Sequence, residues 1–494
     1  MRYILSIDQS TSATKAYLWD ESGRKIASAS IAHRQIIDSR GYVQHNPEEI
    51  FQNVLLASHR AIKLGNVAPE DVACIGISNQ RETVVCWDKH TGKPLYHAIV
   101  WQCARAADLV AELERSGNAQ KIYERTGLPL SPYFSAAKLC WMVRHVDGIK
   151  DALTQHRLAV GTIDAWLIYR LCAVHATDYS NASRTQLLNL DTLRWDNDLL
   201  NLFELYADCM PEIKMSDSFF GTTTMEGLFP KAIPVHGVLG DSHAALLFHR
   251  CFSIGKGKVT YGTGSSIMIN AGTRRPQKIK NLSVSLAWGR GDEIPFVVEG
   301  NINDSGSTLR WLCEEMGLWS EVGQIELAAR AVPQSDGVFI IPAFSGLGAP
   351  WFCNQARAAI VGLNRSTRKE HLARASLESI ACQVTDVVHA MQRTLGTNFE
   401  SLYADGGPAE NQLLMQIQAD LLQKTIQVSQ LKECSAAGAA LCAAVGSKMC
   451  DDQSAFLPNY TQIRPRMPPA CQDALYNGWL SAVRMVLNQK GAGL

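Results

Sequence analysis

Tyr3-Ile4-Leu5-Ser6-Ile7, then Asp8-Gln9-Ser10-Thr11-Ser12, then Lys15-Ala16-Tyr17-Leu18-Trp19, is the stretch on which the fold turns. An apolar run, a polar turn and a second apolar run read as a β-hairpin. Asp20-Glu21-Ser22-Gly23 turns the chain again, and Lys25 to Ala32 returns as a third strand. Asn46-Pro47-Glu48-Glu49 then supplies a helix N-cap, a proline at the first helical position and acids in the first turn. Those signals predict a helix to about Leu64. Val72-Ala73-Cys74-Ile75-Gly76-Ile77 is almost wholly apolar, as expected of a strand buried on both faces. Strands alternating with helices give an α/β protein.

The same device returns about 250 residues later. Lys258-Val259-Thr260-Tyr261 reads as a strand, Gly262-Thr263-Gly264-Ser265-Ser266 as a small-residue turn, and Ile267-Met268-Ile269-Asn270 as a strand. Two such units suggest two related halves. With a glycine-containing segment at Cys251 to Gly257, the division falls at residues 1–250 and 251–494. In the second half, Gly337 to Pro342 and Leu402 to Ala404 read as strands. His371 to about Leu395, Asn411 to Leu422 and Ser435 to Val445 read as helices.

Composition narrows the function. The 494 residues are 46% hydrophobic and 19% charged, with 47 basic and 47 acidic side chains. A zero net charge makes no electrostatic case for nucleic acid or an anionic membrane as main partner. Fourteen cysteines include no C-x-x-C pair, so zinc-ribbon and dithiol readings lose support and free thiols are expected. Asp8 interrupts the stretch that a secretory signal would need, and Ala436 to Val445 is too short to span a bilayer. A soluble, cytoplasmic protein is expected.

Four segments carry candidate chemistry, each with a plainer reading beside it. The Asp8–Thr14 turn can form a backbone anion nest, with Asp8 placed to hold Mg²⁺; it can also be an ordinary hairpin turn. No G-x-x-x-x-G-K-[ST] loop is present, so any nucleotide is held in another way. Asp405-Gly406-Gly407-Pro408-Ala409-Glu410-Asn411 lets a flat ring or phosphate approach the backbone at a helix start, or is simply a turn. Asn79-Gln80-Arg81-Glu82-Thr83 offers a polyhydroxylated ligand a donor and an acceptor, or is a surface hairpin with a salt bridge. Asp241, in Gly240-Asp241-Ser242-His243, is a general base for a hydroxyl proton or a helix N-cap. His243 reads as a packed histidine.

Together these residues resemble the FGGY carbohydrate kinases, and among them the glycerol kinases. Ser78-Asn79-Gln80-Arg81-Glu82-Thr83, Ile99-Val100-Trp101-Gln102, Thr126-Gly127-Leu128 and Pro132-Tyr133-Phe134-Ser135 with Lys138 and Trp141 carry the likeness. So do Asp178 to Thr185, Pro342 to Pro350, Gly362-Leu363, His371 and Leu377-Glu378-Ser379. The resemblance implies two domains of the actin, Hsp70 and hexokinase type (ribonuclease H-like), each with a mixed five-stranded sheet, around a central cleft. The first would bind the polyol and the second the nucleotide. It implies ATP and Mg²⁺, transfer to a primary hydroxyl, and a homo-oligomer, dimer or tetramer. Arg81, Glu82, Trp101, Tyr133 and Asp241 would line the polyol pocket, with Asp241 as base, and Asp8 would face the metal. Thr11, Ser12, Ala13 and Lys15 would sit near the terminal phosphates. Thr263, Gly306, Arg310, Gly407 and Asn411 would contact the nucleotide.

Departures from the glycerol kinase pattern bear on the substrate. Ser242 and Ser266 replace an amide and an aromatic ring, which predicts a wider pocket and raises a tetritol, pentitol or ketopentose such as xylulose as an alternative acceptor. Ser10 replaces a glycine, Lys15 an arginine, and Arg310 a glutamine. The loop for sugar-bisphosphate inhibition has no counterpart around Thr222–Lys231. A third reading, an actin-like ATP-binding protein that transfers nothing, has no use for Asp241 and its polyol-binding neighbours.

Overall fold

The computed structural model describes residues 2–488 apart from positions 278 and 453. Residues 3–32 form the meander expected: β1 (Tyr3–Gln9), β2 (Ala13–Asp20) and β3 (Lys25–Ala32), paired antiparallel with Leu5 opposite Leu18 and Ala16 opposite Ala29. Next, β4 (Val72–Asn79) lies parallel to β1. A short edge strand β5 (Gly221–Thr223) precedes β6 (Ile233–Gly240), which lies parallel to β4. Ile4, Leu5, Ile7, Ile75, Ile77, Val238 and Leu239 have no exposed surface, as expected for central strands covered on both faces. Helix α1 (Pro47–Gly65) starts where predicted: the Asn46 side chain accepts from the Glu48 N–H at 3.0 Å. Its Ile50, Phe51, Val54, Ala57 and Ala61 pack over Leu18 and Ile7 in one buried cluster.

The second sheet repeats the first. Its strands are β7 (Gly257–Tyr261), β8 (Ser265–Gly272), β9 (Ser283–Leu286), β10 (Phe296–Ile302), β11 (Ser401–Asp405), β12 (Thr425–Ser429) and β13 (Tyr460–Ile463). The first sheet runs β3-β2-β1-β4-β6 with β5 added at the edge. The second runs β10-β8-β7-β11-β12 with β9 and β13 added. Both have two antiparallel pairings followed by two parallel ones. The expectation of five strands per sheet is therefore corrected to six and seven, around a shared five-strand core.

Two helices join the halves. Helix α2 (Asp241–Phe248) follows β6, and α3 (Cys434–Gly446) follows β12. They touch so closely that a Cβ on Gly438 would lie 1.8 Å from the Ala244 carbonyl oxygen, and only glycine permits that approach. On its other side α3 reaches the first sheet, packing Ala436, Ala440 and Ala443 with Ile4, Trp19 and Cys74. None of the described helices is long and apolar enough to cross a membrane, and all fourteen cysteines are free.

Three local readings change. Asn79–Thr83 does not turn a hairpin: it carries the chain out of the first sheet into a separate five-stranded sheet, where Val84–Asp88 pairs with Leu158–Thr162. The second small-residue turn is shorter than its composition suggests, because Ser265 and Ser266 already pair in β8 with Tyr261 and Thr260. The Asp405 segment opens on a single 3₁₀ turn, Gly407–Glu410, before the helix Gln412–Leu422.

Candidate active site

The parallel strands of the first sheet end together, and the sequence candidates sit on those ends. Register places Asp8 beside Ser78, and Gly240 beside Asn79. Asp8, Arg81 and Asp241 therefore project from one edge, the edge where open α/β sheets bind ligands. The Asp8 Oδ1 accepts from the Ser78 hydroxyl at 2.6 Å, and Lys15 is its partner across β2. Burial raises the Asp8 pKa in spite of Ser78 and Lys15. A desolvated carboxylate whose nearby positive charge is a single lysine suits a divalent cation. The turn beyond it is held from behind. The His33 Nε2–H donates to the Thr11 carbonyl at 2.8 Å, the His33 backbone N–H donates to the Ser12 carbonyl at 3.2 Å, and Ser10 donates twice to the Ala13 carbonyl. Ser12 is exposed and Lys15 half-buried; the Ala13 side chain is buried, so only its backbone can face a phosphate.

Arg81 and Glu82 do not pair with each other as a surface hairpin would. Arg81 is 6% exposed, and its two terminal nitrogens donate to Glu299 at 3.1 and 2.8 Å. Its Nε faces Asp241 Oδ1 at 3.3 Å. Glu82 sits in the left-handed region at φ 62° and accepts from the Arg184 Nε at 2.7 Å. Backbone strain of that kind persists where surroundings over-determine it; here the Ser135 hydroxyl also holds the Glu82 carbonyl. Arg184 reaches Glu299 as well, at 2.6 Å. Burial disfavours these charges, yet Arg184 and Arg81 hold Glu299 well below the ordinary carboxylate range. Likewise Glu299, Glu82 and Asp241 hold Arg81 firmly charged against its burial.

Asp241 is different. Its side chain keeps 38% of its surface open to the cleft, and its pKa is raised by burial more than Arg81 lowers it. The N-cap of α2 is Gly240; Asp241 is the first helical residue, and its Oδ1 also accepts from the Ser242 N–H at 2.6 Å. His243 is fully buried and kept neutral by that burial, as the packed-histidine reading expects.

An aromatic wall stands opposite. Trp101 and Tyr133 meet edge to face with ring centres 5.5 Å apart, and the Trp101 Nε1–H donates to the Thr11 hydroxyl at 2.9 Å. One bond thus links the polyol candidates to the phosphate turn. Lys138, without exposed surface, donates to the Tyr133 and Phe134 carbonyls and fixes that loop; burial pushes its pKa down to about 7. The Ser242 and Ser266 hydroxyls do not stand free. The Ser242 hydroxyl bonds Ser266 at 3.3 Å, and Ser266 donates to Glu299 at 3.2 Å.

A second cavity, about 540 Å³, opens on the other half. All five nucleotide candidates of that half line it: Thr263, Gly306, Arg310, Gly407 and Asn411. Arg310 donates to the Thr263 hydroxyl at 3.1 Å, and Asn411 caps the helix after it through the Leu414 N–H. Gly406 is at φ 90°, and a Cβ there would lie 1.9 Å from the Tyr261 carbonyl oxygen. Asp405 is anchored by His249 at 2.7 Å, which holds its pKa down against burial. Thr11, Ser12, Ala13 and Lys15 do not line this cavity; they belong to the facing half.

Sequence reasoning missed Glu299 and His33, and it quoted Arg184 only within Asp178 to Thr185, without a role. Glu299 had a usable signal, a lone acid inside Phe296-Val297-Val298-Glu299-Gly300, since a charge in an apolar strand must be paired. His33 had none.

Comparison with known proteins bears on the whole chain. Residues 3–248 match the FGGY family of carbohydrate kinases, N-terminal domain, and residues 257–447 its C-terminal domain. Glycerol kinase 1 of Thermotoga maritima is 43% identical, over 99% of this chain and all of its own. The glycerol kinase of Alkaliphilus oremlandii is 40% identical over 98% of this chain and 97% of its own. Among solved structures, Plasmodium falciparum glycerol kinase with ADP superposes with a TM-score of 0.93 at 33% identity, covering 99% and 98% of the two chains. A xylulose kinase from Lactobacillus acidophilus gives 0.89 at 21% identity, covering 100% and 99%, a likeness of fold alone.

Proposed function

The chain belongs to the FGGY family of carbohydrate kinases and is an ATP-dependent polyol or sugar kinase; from that premise we propose that glycerol is its acceptor and Asp241 its base. The observation that carries the proposal is the cleft-facing Asp241 carboxylate with Arg81 at 3.3 Å. A carboxylate with a raised pKa, open to the cleft, can take a hydroxyl proton, and the arginine beside it can donate to a neighbouring hydroxyl. Glu82 accepts from hydroxyls, while Trp101 and Tyr133 pack against the carbons.

The reaction is an in-line displacement. The glycerol oxygen bonds to the terminal phosphorus, the bond from that phosphorus to the bridging oxygen breaks, ADP leaves, and the hydroxyl proton passes to Asp241. Most of the catalysis lies in alignment and charge neutralisation. Thr11, Ser12, Lys15 and the backbone at Ala13 face the terminal phosphates, and Thr263, Gly306, Arg310, Gly407 and Asn411 hold the rest of the nucleotide. Asp8 fits Mg²⁺, which when bound neutralises phosphate charge.

The engaged serines support glycerol over a longer acceptor. A pocket for a four- or five-carbon chain needs partners for the extra hydroxyls, and Ser242 and Ser266 spend their only O–H donors on each other and on Glu299. The test is coupled ADP release with glycerol, erythritol, xylitol and xylulose at matched concentrations. Glycerol is expected to show the highest kcat/KM; a higher value for any longer acceptor would overturn the assignment.

A further inference from the structure

Glu299 lies in the middle of β10 with no exposed surface, so it cannot touch a ligand. Its carboxylate gathers both terminal nitrogens of Arg81, one of Arg184, and the Ser266 hydroxyl. Arg81 and Arg184 belong to the first half of the chain. Glu299 and Ser266 belong to the second, where Glu299 pairs with Met268 and is thus the diagonal neighbour of Ser266 on one face of the sheet. A single buried carboxylate therefore ties the polyol side of the cleft to the nucleotide side.

The geometry of Arg81 gives this tie a consequence. A guanidinium prefers to meet a carboxylate with two parallel N–H groups. Glu299 takes that fork and leaves Arg81 only its Nε toward Asp241. With Glu299 removed, the fork is drawn to the other carboxylates that act on Arg81, Glu82 and Asp241. Either pairing ties up oxygens that must accept from glycerol.

We propose that Glu299 is a positioning residue of the transfer reaction: from the second half it holds the Arg81 fork away from Asp241 and so keeps the base free for the hydroxyl. The proposal rests on the glycerol kinase reading above. Glu299→Gln keeps size and loses the charge that claims the fork. It should lower kcat/KM for glycerol about 10²-fold, the scale of a group misplaced by about 1 Å. ADP affinity and the KM for ATP should stay within about threefold. In an Arg81→Ala background the same change should add less than about threefold, because the residue it acts through is already gone. Where the Gln variant does not fold, as judged by circular dichroism, Glu299→Asp, which keeps the charge but retracts it by one methylene, should show the same selective loss. Additive effects with Arg81→Ala, an unchanged glycerol kcat/KM, or an equal loss of ADP binding would each overturn the proposal. Failure of the underlying reading shows separately, as no glycerol-dependent ADP release from the unaltered enzyme.

Discussion

The two strand–turn–strand units, β1–β2 and β7–β8, occupy the same place in their sheets and do opposite work. The first turn is held by side chains: His33 grips the Thr11 carbonyl, Thr11 grips Trp101, and Asp8 and Lys15 stand opposite each other at its base. The second is held by backbone packed on backbone. The Gly262 N–H donates to the Gly264 carbonyl at 2.7 Å, and the N–H groups of Ser305 and Gly306 donate to Thr263 and Gly262. A Cβ on Gly264 would lie 2.2 Å from the Ile302 carbonyl oxygen. One architecture used twice has divided its labour: charge and hydroxyls on one lip of the cleft, a close-fitting backbone surface on the other.

If that division is right, substitutions should separate cleanly. The largest effect should come from the first lip. Asp241→Asn should lower kcat about 10²- to 10⁴-fold because the amide cannot take the proton, while calorimetric ADP binding stays unchanged; an equally active variant would remove Asp241 from the chemistry. On the second lip a methyl group should suffice. Gly406→Ala meets the Tyr261 carbonyl oxygen at 1.9 Å and a φ of 90°, so ADP affinity should fall about tenfold or more. Turnover at saturating ATP should change less. Thr11→Val tests the bond that ties the aromatic wall to the phosphate turn within the first lip. Leaving the Trp101 N–H without its acceptor costs about 1–3 kcal/mol, which predicts about a tenfold fall in kcat/KM for glycerol and a shift in Trp101 emission.

The smallest effect lies away from both lips. Asp164, fully buried, accepts from the hydroxyls of Thr162 at 2.5 Å and Thr177 at 2.6 Å; burial first, and Asp178 second, push its pKa up to about 7. The folded chain thus keeps a proton through pH 4–7 that the unfolded chain has released, so this group's contribution to stability falls as pH rises across that window and is flat above it. Asp164→Asn should flatten the slope, changing the apparent melting temperature by about 1 °C per kcal/mol in a chain of this length, with activity at neutral pH preserved.

Much of this architecture was legible from local pattern. The meander at 3–32, the cap at Asn46 and the apolar strand from Val72 announce themselves because propensity, patterning and turn chemistry agree there. The division of labour did not. Asn79–Thr83 looks like a hairpin turn because nothing local says that Val84 pairs with Thr162 instead of returning to Asn79. The hydrogen-bonded chain from Ser242 through Ser266 was not visible either, because its end, Glu299, is 33 residues beyond Ser266 on a neighbouring strand. Contacts made across the seam are set by how two sheets dock, and a one-dimensional reading registers only their trace, such as an acid in an apolar strand.

Phosphoryl transfer to glycerol can be followed atom by atom in ³¹P NMR of one reaction mixture. With enzyme, ATP, Mg²⁺ and glycerol, one phosphomonoester of a primary glycerol hydroxyl is expected for every ADP formed, with no accumulation of inorganic phosphate. ADP appearing with inorganic phosphate and no phosphorylated glycerol would contradict it, leaving a nucleotide-hydrolysing protein of the same fold.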